Sequence, residues 1–99
     1  MSAVRCAVWE RLFLLLAQAE ENADIAALAA LRLVDAARIE SERLRAAPWT
    51  ETQAVVVVKA VCARREEAAL AFEGAGRSDL AEIERTDAVL IATLLGSRG

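Results

Sequence analysis

Four carboxylates stand close together near the C-terminal end of this 99-residue chain: Asp79, Glu82, Glu84 and Asp87. On a helix Glu84 and Asp87, three residues apart, share a face. Two carboxylates so placed could hold a metal ion or exchange a proton. The stronger reading is a solvated face paired to Arg77 and Arg85, because such pairs are common on exposed helices. The rest of the chemistry is thin. There is no histidine, which removes the commonest metal ligand and general base. No serine or cysteine therefore has an imidazole to activate it. Cys6 and Cys62 are far apart in sequence, fit no disulfide framework or metal motif, and read as two reduced thiols in helices. Gly74 and Gly76 follow a helix rather than a strand, so they read as a helix cap and not a phosphate loop. The expectation is a protein with no catalytic residues, cofactor or metal, which is not an enzyme by itself.

The arginines are the other candidates. Arg38, Arg43 and Arg45 gather toward the end of one helical stretch, Arg64 and Arg65 are adjacent, and Arg77 stands at a turn. The bland account of the first group is interaction with a helix C-terminus and local pairing with Glu40 and Glu42. The functional account is a small anion-binding patch, able to contact tRNA or a partner. Net charge is −3 with mixed signs along the chain, and no basic block marks a DNA-binding protein.

The elements that would carry these residues are all helical. Apolar residues form 57% of the chain, too many for a disordered segment. A first helix is expected from about Ala3 to Glu20, with Trp9, Leu12, Phe13 and Leu16 at helical spacing. A second is expected from Asp24 to about Arg45, capped by Asn22 or Asp24 and striped by Ile25, Leu28, Leu31 and Val34. Ala46-Ala47-Pro48 ends it. Thr50-Glu51-Thr52-Gln53 reads as a capping box, with Trp49 at the staple position. The third helix should run from Glu51 to about Glu73, although Val55-Val56-Val57-Val58 favours a strand locally. Gly74-Ala75-Gly76 stops it, Gly76 with positive φ. Ser78 should cap a fourth helix, with Asp79 in its first turn and Leu80, Ile83, Leu90, Ile91 and Leu94 along it. The fold class is all-α: a four-helix bundle or two packed helical hairpins.

Leu12-Phe13-Leu14-Leu15-Leu16 before Ala17-Gln18-Ala19 has the look of a signal peptide. The run is too short, however, and Glu10 and Arg11 precede it directly. It is also too short to span a bilayer. A cytoplasmic protein without a membrane partner is expected.

From Leu28 onward the chain resembles the GatB/YqeY family. The strongest stretch is Arg65-Glu66-Glu67-Ala68, then Phe72-Glu73-Gly74-Ala75-Gly76-Arg77-Ser78-Asp79-Leu80-Ala81-Glu82, then Glu84 and Asp87. It is similar to the family's near-fixed A-G-R-x-D-L-A turn before an acidic helix. The resemblance covers about Trp9 to Leu94. It implies a helical N-terminal domain followed by a smaller one, whose Leu-Pro entry is here Leu94-Leu95-Gly96. A single domain over residues 1–99, lacking that C-terminal subdomain, is therefore expected. In GatB the corresponding region is the tail of a glutamine-dependent tRNA amidotransferase. That tail helps hold tRNA, while the carbon–nitrogen ligase chemistry belongs to other domains. The resemblance thus implies a non-catalytic accessory or interaction module, with a protein partner or a homodimer. The alternative is a weak tRNA-binding module using Arg38, Arg43, Arg45, Arg64, Arg65 and Arg77. Phe72, Gly76, Arg77, Ser78, Asp79 and Leu80 form its characteristic turn.

Overall fold

The computed structural model describes residues 6–45 and 47–96. Four α-helices follow in order: α1 (Ala7–Glu21), α2 (Ile25–Arg43), α3 (Glu51–Gly74) and α4 (Ser78–Ala92), with a closing 3-10 turn at Thr93–Leu95. The first helix starts at Ala7, after an extended Cys6, later than the expected start near Ala3; Ala3 itself, Ala46 in the α2–α3 connection and residues 97–99 lie outside the described residues. Two helical hairpins, α1–α2 and α3–α4, pack into a bundle.

Local signals set most boundaries. The Asp24 side chain accepts the Ala27 N–H at 3.1 Å and opens α2. Thr50 and Gln53 make the reciprocal capping box that starts α3. Its four consecutive valines are helical. Val58 is fully buried and Val55 and Val57 pack against the core, so tertiary burial outweighs the strand preference of β-branched side chains.

Two helices end in the same way. At the end of α3 the Arg77 N–H bonds the Phe72 carbonyl at 2.8 Å and the Gly76 N–H bonds Glu73 at 3.0 Å, with Gly76 at φ +75°. At the end of α1 the Asp24 N–H bonds Ala19 at 2.8 Å and the Ala23 N–H bonds Glu20 at 3.1 Å. Both are Schellman turns, which need a left-handed residue at the first position past the cap. At α1 that residue is Ala23, with φ +52°, and an L-residue is strained there. Ala23→Gly should therefore raise stability by about 0.5–1 kcal/mol, read from thermal or denaturant melts. No gain would mean that alanine is unstrained at this turn.

The start of α4 departs from expectation. Ser78 is the first helical residue rather than the cap; Arg77 holds the cap position, and no side chain there bonds a free N–H. The six-residue Schellman turn consumes the chain through Arg77 and leaves no extended residue at Ser78. Gly76→Val should cost about 1–3 kcal/mol through backbone strain, since space is open around its α-carbon. Ser78→Ala should change stability by less than about 0.5 kcal/mol. Equal losses in the two melts would contradict this geometry.

The core joins the hairpins where all four helices meet: Val8, Trp9 and Leu12 from α1, Leu28, Leu31 and Val34 from α2, Ala54, Val58 and Val61 from α3, and Ile91 from α4, closed by Leu94. Three residues expected on the apolar stripes are outside: Ile25 is 74%, Ile83 56% and Phe13 48% exposed. Ile25 is the first residue of α2, at the tip of the α1–α2 hairpin. Ile83 lies on the half of α4 that projects from the bundle. There Ala69 and Ala81 are buried outside the main core, where α3 packs on α4. The projection gives the molecule extents of 54 × 29 × 26 Å and a radius of gyration of 14.5 Å, against about 12.6 Å for a compact chain of this length.

Candidate functional site

The arginines are held by partners inside the chain. Arg38 donates through Nε to Asp35 at 2.9 Å and through Nη1 to Glu42 at 2.6 Å, and its guanidinium lies 4.9 Å from the Phe13 ring centre. Glu42 also accepts the Trp49 indole N–H at 2.8 Å. That bond, with the hydrogen bond and charge of Arg38, holds the Glu42 carboxyl below its usual range against the opposing loss of hydration. Arg45 lies over the Trp49 ring at 4.4 Å and donates to the Pro48 carbonyl and to Gln53. Trp49 in turn meets Trp9 edge-on at 5.0 Å. Arg38 and Arg45 thus belong to one network that ties the α2–α3 connection to the core. Arg43 pairs only with Glu40, in the open.

Arg64 and Arg65 diverge. Arg65 reaches across to α4 and pairs with Glu84 at 3.1 Å, both side chains mostly covered, while its buried Nε has no partner. Arg64 makes no ion pair among the described residues. Both border a groove of about 470 Å³ between α2 and α3, floored by Leu33, Ala37 and Val61. Arg77 sits at the far tip of the α3–α4 hairpin and grips Asp79 with two hydrogen bonds of 3.0 and 3.1 Å. Phe72 and Leu80 are half-buried beneath this tip. The six arginines therefore make no single patch. Arg38 and Arg45 serve the loop after α2, Arg65 the α3–α4 contact, and Arg77 the distal turn.

The acidic residues of α4 separate too, contrary to a wholly solvated face. Asp79 takes Arg77 as expected, but Arg85 pairs with Glu73 on α3 at 2.7 Å, and Glu84 takes Arg65. The reason is tertiary: α3 lies along α4, so its charges reach the acids and bases of α4 more directly than α4's own turns do. Asp87 is half-buried. Loss of hydration, followed by the Glu84 charge, pushes its carboxyl above the usual range, and Arg65 opposes this. Burial likewise pushes both thiols up, which keeps them protonated and poorly nucleophilic. Cys62 donates weakly to the Ala88 carbonyl, and Cys6 caps α1 rather than lying within it. Among the described residues no three Cys, Asp or Glu side chains come together to hold a metal ion. No helix among them is long and apolar enough to cross a membrane.

One polar residue that local sequence rules do not flag ties the hairpins together. Glu51, the first residue of α3, accepts the N–H groups of Ala7 at 3.2 Å and Val8 at 3.0 Å, and the Cys6 thiol at 3.2 Å. It caps α1 from across the fold, and Cys6 itself supplies no side-chain cap. The Val8 bond, then the Cys6 and Ala7 bonds, hold its carboxyl below the usual range despite partial burial. No local pattern marks a contact spanning more than forty residues; the bare Cys6 cap position was the only available hint.

The fold and its charge network define a small helical module whose polar groups mostly bind one another and whose exposed surface carries large apolar side chains. Compared with models of known families, residues 10–97 match that of the Yqey-like protein, and the chain belongs to the YqeY-like family. No curated protein and no solved structure matches it.

Proposed function

We propose that this chain is a non-catalytic accessory or interaction module, linked to tRNA-dependent amidotransfer or to tRNA metabolism. The observation that carries the reading is the contrast between its charges and its apolar surface. Of the six candidate arginines all but Arg64 are paired internally, while Phe13, Leu14, Val56, Leu70, Ile83 and Val89 each stay between 48% and 69% exposed. Scattered exposed apolar residues are ordinary; Leu70 and Val89 differ in lining one open groove of about 590 Å³ between α3 and α4, where a partner could cover both. Membership of the YqeY-like family, with its resemblance to the GatB tail, supports the link to amidotransferase. Any carbon–nitrogen ligase activity with glutamine as donor would then belong to the assembly and not to this chain. Affinity purification from the native cell, with protein and RNA both identified, tests the proposal. Co-purification of amidotransferase subunits or of tRNA is the expected result, and recovery of no other protein and no RNA overturns it.

A weak tRNA-binding role is the second reading, favoured by Arg64, which makes no ion pair, and by Arg43, whose side chain is 71% exposed. Exposed ion pairs contribute little and can exchange a carboxylate for a phosphate. Filter binding of tRNA should then show retention at low salt that falls steeply as salt rises. Absence of binding at low salt ends this reading.

A further inference from the structure

We propose that the outer face of α3 is a self-association surface, and that its occupant is the same face of a second copy, packed antiparallel about a two-fold axis at Ala63. The proposal rests on the interaction-module reading above and names the partner. Along α3 the buried Ala54, Val58, Val61 and Ala69 face the rest of the molecule. On the opposite side Val56, Ala63 and Leu70 recur at intervals of seven. Val56 is 62% and Leu70 66% exposed, and Ala63 between them is exposed too, so this stripe has no cover within the chain. Seven-residue spacing is the repeat by which one helix packs along another in a left-handed supercoil.

The occupant follows from charge and register. A two-fold axis that runs between two antiparallel helices, perpendicular to both and level with Ala63, sets Ala63 against its own copy. It pairs each residue before Ala63 with the residue as far after it. Val56 of one copy therefore meets Leu70 of the other, at both ends of the contact. The small side chain of Ala63 allows close approach, about 8 Å between helix axes. The same axis keeps each flank of α3 on one side of the pair. At 3.6 residues per turn, Lys59 and Glu66 lie about 40° and about 60° to the same side of Ala63, about 6 Å before it and about 4.5 Å after it. The two-fold thus brings Lys59 of one copy beside Glu66 of the other, offset by about 1.5 Å along the helices, and repeats the pair symmetrically. Within one chain these two residues are seven apart, about 10 Å, and neither has an ion-pair partner among the described residues. On the other flank Glu67 meets Ala60, so no acid is set against an acid there. An isologous dimer requires a patch complementary to itself, and this face is so in its apolar stripe and in its charges.

Sedimentation velocity on the purified chain over a wide concentration range tests this. The expected species has twice the 10.6 kDa chain mass. Lys59→Glu should weaken association at least about tenfold by setting two acids together, and Glu66→Lys should do the same with two bases. The double variant Lys59→Glu/Glu66→Lys should restore the dimer. Under mild oxidation Ala63→Cys should yield a disulfide-linked dimer, because the axis brings the two α-carbons within bridging range. Thr52→Cys, on the same face but far from the axis, should not link, and neither should the parent chain through Cys6 or Cys62. The substituted positions are exposed, so helical circular dichroism should be unchanged throughout. A monomer at every concentration overturns the proposal, as does a dimer indifferent to Lys59→Glu or one that Ala63→Cys fails to link. A chain that is monomeric when pure, and whose partner in cell extract is lost in Val56→Lys, has another protein on this face, which also overturns the second copy as occupant. Failure of the proposal appears in purified protein, whereas failure of the broader reading appears in cell extract, so the two are distinguishable.

Discussion

Ile91→Ala should destabilise the protein by about 2–5 kcal/mol, while Ile83→Ala, eight residues earlier on the same helix, should change stability by less than about 0.5 kcal/mol. Helical periodicity sets the two isoleucines on one stripe. In the folded molecule Ile91 is wholly buried at the junction of the hairpins, and Ile83 is 56% exposed on the projecting half of α4. Removing the Ile91 methyls would lose their transfer from water and leave a cavity at the point where α4 joins the core. Leu94 would still hold the 3-10 turn in place, which limits how far the site can collapse. A domain of this size has only about 5–15 kcal/mol of stability, so the Ile91 variant should approach unfolding at ambient temperature. Urea melts of both variants measure the contrast. Comparable losses would mean that the distal hairpin is part of the main core.

The second large effect is expected at Glu51. Glu51→Ala should cost about 1–3 kcal/mol, because it leaves two N–H groups at the start of α1 without their acceptor and cuts the polar tie between α1 and α3. Glu51→Gln, which keeps an acceptor oxygen but not the charge, should cost less. The effect should depend on pH. The folded carboxyl is held below its ordinary range, so its contribution is complete above the unfolded value and is lost as pH falls through the folded value. Glu51→Gln should therefore flatten the acid limb of a stability–pH curve. Asp87 has the opposite sign. Its carboxyl is raised by burial and by Glu84, so the folded state takes up a proton more readily, and the group's contribution becomes less favourable as pH rises past the ordinary aspartate range. Asp87→Asn should remove that decline and leave neutral pH relatively more stable than acid. Chemical melts at stepped pH separate the two. An unchanged acid limb in Glu51→Gln would show that Glu51 is not the cap of α1.

How much of this was legible beforehand depends on the range of each interaction. The four helices, the Thr50–Gln53 box, the Asp24 cap and the Gly76 turn follow from groups within a few residues of one another. Their geometry is nearly complete before any tertiary contact forms. The all-α class follows for the same reason, from apolar residues at helical spacing between local caps. The valine run was the local conflict, and it was resolved by length and by burial of Val58. Ser78 was misplaced by one position because two local preferences, a serine cap and a six-residue Schellman turn, compete for the same residues, and the turn wins through two backbone bonds.

The candidate site was less legible. That arginines and acids would pair was readable, but not with whom. Arg85 chose Glu73, and Arg65 chose Glu84, because α3 and α4 lie in register over the projecting hairpin. Sequence alone determined the elements, the turns between them and the absence of imidazole chemistry, since each depends on residue type and short spacing. Tertiary structure alone decided that Ile91 is inside and Ile83 outside, that Glu51 caps a helix more than forty residues away, and that Leu70 and Val89 border one open groove. Such outcomes depend on how two hairpins are set against each other. That arrangement is chosen by the summed burial of the whole core, not by any short stretch of the chain.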